Sequence, residues 1–365
     1  MLALLFLASC KGLRAVRDEK LTIVPNSPLY FSDPEKTIVQ TLIDGKPYDM
    51  MLDTGSSVTL LYSSTHPIPE SKKLSKISYR DFNGDKAGLI QKFVADTVTT
   101  RSFIYNGKIL FSLPASKKAC TLKTFDGLMS RPIAPKGYFT ELNYEEGYIR
   151  FVENIDLTQY ESVPAKYNVN QGRFEITMEV NGIKANFLFD TGNSAGIYLD
   201  DKEFSLPEPV EQISYYSLFA GNKETALKSS LYLLPVKIGK YTFDQYAALN
   251  SSKTHNNVGM KFISQFCWVL DQTNNIAYCK PIHPEKFKTG STHTRRANFV
   301  YADVFNSKLL IAQMNYNDPD IAVGDEITSI SGENVTMDNL CEMASRFNSM
   351  PLDKSKIVLI RNVMH

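Results

Sequence analysis

The sequence predicts a mainly β protein made of two related all-β lobes followed by a small α+β domain. Three observations support this. A strand–turn–strand segment ending in Asp-Thr-Gly occurs twice, at Asp53 and at Asp190, 137 residues apart. Segments of β character bounded by turn residues fill the chain up to residue 285, with little sign of helix. Beyond residue 295 the pattern changes to strands around one amphipathic helix. At 365 residues the chain is long enough for two or three domains.

Composition excludes some functions. The 40 basic and 39 acidic residues nearly cancel, and Arg295-Arg296 is the densest arginine site. A nucleic-acid partner is therefore not expected, since such binders carry a basic excess or stripe. No stretch is long and apolar enough for a transmembrane helix.

Taking the elements in order, residues 1–8 are almost wholly apolar and run into Ser9, Cys10 and Lys11. A short hydrophobic run ending in small residues reads as an export signal. Leu7-Ala8-Ser9-Cys10 also resembles the lipobox of bacterial lipoproteins. That resemblance implies lipidation of Cys10 and an exported protein, periplasmic or outer-membrane associated, touching the membrane only through its lipidated N-terminus. Lys11, Arg14, Arg17, Asp18, Glu19 and Lys20 suit a solvated tether, so residues 1–20 are set apart from the fold.

The first lobe is expected over residues 21–165 and the second over 166–285. Ile43-Asp44-Gly45 leads through Met50-Met51-Leu52 to Asp53-Thr54-Gly55-Ser56-Ser57. Val180-Asn181-Gly182 leads through Phe187-Leu188-Phe189 to Asp190-Thr191-Gly192-Asn193-Ser194. Each reads as a hairpin with an Asp/Asn-Gly turn and an apolar second strand. Further on, each half reaches an apolar-plus-Gly element, Phe125-Asp126-Gly127-Leu128-Met129 or Val258-Gly259-Met260-Lys261-Phe262, and closes with a hairpin. In the last hairpin, setting Leu270 opposite Ile276 sets Cys267 opposite Cys279. A disulfide there and two reduced cysteines on one buried face are equally compatible with the sequence.

One Asp-Thr-Gly is a weak signal; two in repeat register behind apolar strands are a strong one. Two carboxylates within hydrogen-bond distance cannot both ionise easily, so they share a proton. The ionised member can then take a proton from water while the protonated member donates to a carbonyl. Each threonine hydroxyl can bond across to the other loop, and each apolar strand sets its aspartate at the edge of a dry core, where the coupling is stronger.

The paired loops and the later apolar-plus-Gly elements resemble the pepsin/retropepsin superfamily of aspartic peptidases, over residues 30 to 283. The resemblance implies a pseudo-twofold cleft between the lobes and an endopeptidase acting on polypeptides, with no metal or cofactor. Asp53 and Asp190 would be the catalytic pair and Thr54 and Thr191 the interlocking hydroxyls. Gly55 and Gly192 would make the turns, with Gly127 and Gly259 supporting each loop from behind. Ser56 would donate its hydroxyl to the first carboxylate, whereas Asn193 offers an amide at the second. Residues 126–130 lack the second glycine the family often has. Hairpin flaps are implied near 77–88 and 215–224, with Tyr79 and Tyr216 as flap side chains. One chain supplies both carboxylates, so a monomer is expected. A non-catalytic peptide-binding lipoprotein that keeps the fold is the alternative.

Gly192-Asn193-Ser194-Ala195-Gly196 matches the Gly-x-Ser-x-Gly elbow of serine hydrolases, but Ile197-Tyr198-Leu199 reads as strand where that motif needs a helix. The five histidines show no metal spacing. Residues 286–365 form a polar linker and then Val323-Gly324-Asp325-Glu326-Ile327-Thr328-Ser329-Ile330-Ser331-Gly332, which resembles the core of bacterial PDZ domains. A helix over 337–347 and a final strand over 357–360 should follow. The resemblance implies a peptide ligand added as a strand to a sheet edge.

Overall fold

The computed structural model describes residues 20–62, 72–80, 86–113, 125–130, 133, 135–168, 172–200, 203–218, 224–249, 255–287, 298–305 and 307–361. Cys10 with its lipobox, the tips of both expected flaps and most of the polar linker lie outside these residues. So do the side chains of Tyr79 and Tyr216.

Each Asp-Thr-Gly segment is a hairpin. Ile38–Ile43 pairs with Lys46–Asp53, and Arg173–Val180 with Ile183–Phe189, both antiparallel. The turn residues Asp44 and Gly45 have φ of 49° and 77°, and Asn181 and Gly182 have 51° and 78°. Positive φ at both central residues is the requirement of a type I′ turn, whose twist matches the strands it joins.

These hairpins seed two closed rings of strands. In the first, Lys46–Asp53 pairs in parallel with Gly127–Ser130, which pairs antiparallel with Leu60–Tyr62. Leu60–Tyr62 pairs in parallel with Phe103–Leu113, which returns through Lys86–Thr99 to Ile38–Ile43. The second ring repeats the circuit in the same senses. Ile183–Phe189 runs to Asn257–Val258, then Ile197–Leu199, Tyr241–Leu249 and Glu224–Ile238, and back to Arg173–Val180. A closed ring has no edge at which another chain could pair. Each aspartate leaves its ring from an apolar strand: Met50, Leu52, Phe187 and Phe189 are all essentially inaccessible to solvent. Because Ile197–Leu199 is a strand, the structure has no serine-hydrolase elbow at Ser194.

The closing hairpins, Phe139–Asn143 with Tyr148–Val152 and Phe266–Asp271 with Ile276–Pro281, join the lobes. They pair with each other at Thr140–Leu270, Glu141–Val269 and Leu142–Trp268. Glu161–Asn168 passes from this shared sheet to the second ring, changing partner between Pro164 and Ala165. A single apolar cluster runs through both lobes and the sheet between them. Within it Trp268 packs edge-on to Phe189 and beside Phe262 and Phe266, its indole N–H donating to the Ile263 carbonyl at 2.8 Å.

The two cysteines of the last hairpin are not opposite each other. Cys267 lies opposite Lys280, and Trp268 opposite Cys279. Successive side chains point to opposite faces of a strand, so the two cysteines face opposite ways, and both thiols are free and buried. Asp271 is the reason for the one-residue shift. It stays in the ladder opposite Ile276, and its carboxylate accepts the N–H groups of Thr273 and Asn274 in the turn.

The C-terminal strands Val300–Phe305, Lys308–Met314, Glu326–Ile330 and Ile357–Ile360 and the helix Leu340–Ser349 enclose a separate apolar cluster. The helix buries Leu340, Met343, Ala344 and Phe347, one stripe at helical spacing. It starts later than expected: Met337 is exposed, and the Asn339 side chain holds the preceding turn by accepting the Thr336 N–H. Asn348 on this helix bonds both the N–H and the carbonyl of Ala302 on strand Val300–Phe305. The sheet is also bonded to the second lobe, where Ser214 and Tyr215 on strand Glu211–Leu218 pair with Met314 and Gln313. Beside that pairing Asn315 donates to buried Glu211 at 2.6 Å.

Because Trp268 anchors the core common to both lobes, Trp268→Ala should lower unfolding stability by about 3–5 kcal/mol. A urea titration would show this as a fall in midpoint at unchanged slope, and a change below about 1 kcal/mol would contradict a common core.

Candidate active site

The two Asp-Thr-Gly loops meet where the rings face each other, and buried hydroxyls hold them together. The Thr54 hydroxyl donates to the Phe189 carbonyl at 2.5 Å and accepts the Thr191 N–H at 3.0 Å. Thr191 answers in kind: its hydroxyl donates to the Leu52 carbonyl at 2.6 Å and accepts the Thr54 N–H at 3.1 Å. Both threonines are buried, so these bonds have no competing water. The hydroxyls thus interlock as the sequence implied.

The crossing brings Asp53 and Asp190 to one point, each carboxyl set against the glycine of the opposite loop. Gly55 and Gly192 are needed for space, not for a left-handed turn. A Cβ on Gly55 would overlap the Asp190 carboxyl, and one on Gly192 the Asp53 carboxyl.

The carboxyls are held differently. Asp53 Oδ1 accepts the N–H groups of Gly55 and Ser56 at 2.9 and 2.8 Å. The Ser56 hydroxyl does not reach Asp53, as had been expected; it donates to the Val58 carbonyl, and only the Ser56 backbone serves the carboxyl. Asp190 Oδ1 accepts the Gly192 N–H at 3.0 Å, while Oδ2 accepts from the Asn257 side chain at 2.7 Å. Asn193 lies one step back, donating to Asn257 Oδ1 at 2.8 Å. Sequence reasoning missed Asn257. It stands beside the Val258-Gly259 element, and nothing in its spacing from Asp190 marks it.

Burial, and then the neighbouring Asp190, push the Asp53 carboxyl up to about 8, against the lowering pull of the Ser56 and Gly55 N–H groups. Tyr62, on the strand after the first loop, is likewise pushed up to about 12 by burial and by Asp53.

The supporting glycines need correction. Gly259 does back its loop: a Cβ there would press on the carbonyls of Asn193 and Ala195. Gly127 does not: it pairs with Met50, three residues before Asp53, and a Cβ there would press on the Leu60 carbonyl. Asp53 pairs with Ser130, so Ser130 occupies in the first lobe the place of Gly259 in the second. Its hydroxyl pairs with that of Thr59 at 3.0 Å.

Two outcomes follow. Thr54→Val and Thr191→Val each strand a buried N–H of the opposite loop and take a donor from its carbonyl, and should each cost about 1–3 kcal/mol. Since the hydroxyls act as a unit, the double variant should cost less than the two single ones added, a non-additivity visible in denaturant midpoints. The second outcome concerns pH. The folded chain keeps the Asp53 proton up to about pH 8, whereas an unperturbed carboxyl loses it near 3.8. Between those values the folded state binds more protons, so stability falls as pH rises. Asp53→Asn should flatten that decline in melting temperature, and an unchanged slope would place the proton elsewhere.

Compared with known proteins, the chain matches no family model and no curated protein sequence. Among solved structures it is similar to an aspartic proteinase from Irpex lacteus, at 13% identity and a TM-score of 0.42, over 72% of this chain and 97% of that one. A likeness at this level adds no weight to the geometry.

Proposed function

We propose that the chain is an exported aspartic endopeptidase that hydrolyses peptide bonds with water activated between Asp53 and Asp190. The observation that carries this reading is the placing of each carboxyl against the other loop's glycine, enforced by four hydrogen bonds between Thr54, Thr191 and the opposite loops. Two acids in contact in a partly dry site hold one proton between them over a wide pH range. The ionised one draws a proton from water as its oxygen attacks the carbonyl carbon, and the protonated one supplies the carbonyl oxygen. Positioning of this kind needs rigid loops, which the threonines supply.

The same reading covers the rest of the chain. Lipidation at Cys10 would tether the enzyme to a bacterial membrane facing the periplasm, and one chain would suffice as a monomer. The C-terminal region would be a PDZ-like domain. Capture of a peptide as an added strand beside Val300–Phe305 would require displacing Asn348 from Ala302.

The test is cleavage of denatured casein by the mature chain between pH 3 and 9. Activity should span the acid to neutral range and fall as pH passes about 8, where Asp53 loses its proton. Asp53→Asn and Asp190→Asn should each lower kcat/KM at least about a hundredfold. No cleavage at any pH, or equal cleavage by both variants, would leave the non-catalytic peptide-binding reading in its place.

A further inference from the structure

We infer that Asn257 is a positioning residue that polarises the pair, holding Asp190 as the ionised member and leaving the shared proton on Asp53. The inference rests on the endopeptidase reading and goes further by giving each carboxyl its own role.

A chain of amides of fixed orientation leads to Asp190. The Ala195 backbone N–H, which can only donate, donates to Asn193 Oδ1 at 3.0 Å. Asn193 must then present its NH2 to Asn257, so Asn257 accepts with Oδ1 and presents its own NH2 to Asp190. Neither amide can flip without breaking the bond behind it. Three bonds therefore point the same way and end on Asp190 Oδ2, each polarising the next. With Gly192 on Oδ1, both Asp190 oxygens accept N–H donors, a setting that favours the charged form.

The first lobe lacks this chain. Asn257 pairs with Leu188, two residues before Asp190, and the residue paired with Met51, two before Asp53, is Leu128. An apolar side chain thus stands where the second lobe has an amide. Ser56 bonds only its own loop, donating to the Val58 carbonyl and accepting the Val58 N–H. Both backbone donors of Asp53 converge on Oδ1, so Oδ2 is free to carry the proton.

The titratable groups around the pair do not reverse this order. Tyr62 faces Asp53 and stays neutral below about pH 12. Asp200 and Glu203 engage Asn256, the neighbour of Asn257: the Asp200 N–H donates to the Asn256 side chain, which donates to Glu203.

The steps then balance. Asp190 takes a proton from water as the water oxygen bonds to the carbonyl carbon, while the carbonyl oxygen takes the Asp53 proton. Asp190 next passes its proton to the amide nitrogen as the C–N bond breaks. A hydroxyl of the gem-diol returns a proton to Asp53 as the acid forms. The pair ends as it began.

Asn257→Leu, which copies the first lobe's residue, tests this. The acid limb of the kcat/KM profile should move up by about one pH unit, because Asp190 loses the donor that favours its charged form. The limb near pH 8, which belongs to Asp53, should stay. Carbon-13 NMR of the aspartate carboxyls, assigned with Asp53→Asn and Asp190→Asn, reads the same order without activity. The lower of the pair's two steps should belong to Asp190 and rise in Asn257→Leu. If Asn257→Leu does not fold, Asn193→Ser should move limb and step the same way by less. A lower step belonging to Asp53, or an acid limb and lower step unmoved in a folded variant, would overturn the assignment. A wild-type chain that cleaves nothing but titrates in the expected order would defeat the endopeptidase reading alone.

Discussion

Two acidic groups placed side by side repel each other, and nothing in either loop alone would keep them there. Here the restraint is the exchange of threonine hydroxyls, each buried, each bonded to the other lobe's backbone. The rest of the fold serves that exchange. The rings bring an apolar strand to each loop, the shared sheet fixes the distance between rings, and the common core around Trp268 makes the two lobes one unit. A displacement between lobes would have to break buried bonds for which water offers no replacement.

Much of this was legible because repeated sequence implies repeated structure. The Asp-Gly and Asn-Gly turns dictated two hairpins of one geometry, and their apolar second strands could only be interior. What could not be read was how side chains are shared across loops. Asn257 acts on Asp190 from a strand 67 residues away, and its effect depends on a second amide turned by a backbone N–H. Ser56 carries the expected residue type, yet its hydroxyl finds a nearer partner in its own loop.

Register failed for a similar reason. The stretch Asp271-Gln272-Thr273-Asn274-Asn275 looks like a five-residue loop, because aspartate is a common turn residue. In the fold Asp271 is at once the last rung of the ladder and the acceptor for the turn, and Asn275 supplies the left-handed residue at φ 56°. One residue's double duty turns a plausible disulfide into two thiols on opposite faces. Gly127 was likewise matched to Gly259 by composition, whereas strand pairing matches Ser130 to that place.

Strand Glu211–Leu218 belongs to two assemblies, bonded inward to Glu224–Ile238 and outward to Lys308–Met314. A strand held from both sides cannot shift toward one neighbour without loosening the other. Any ligand whose affinity depends on the inner pairing is therefore linked by the same free energy to whatever engages the outer one. The C-terminal sheet is mechanically in series with the second lobe's hairpin, so a force or a partner applied to one is passed to the other through this strand.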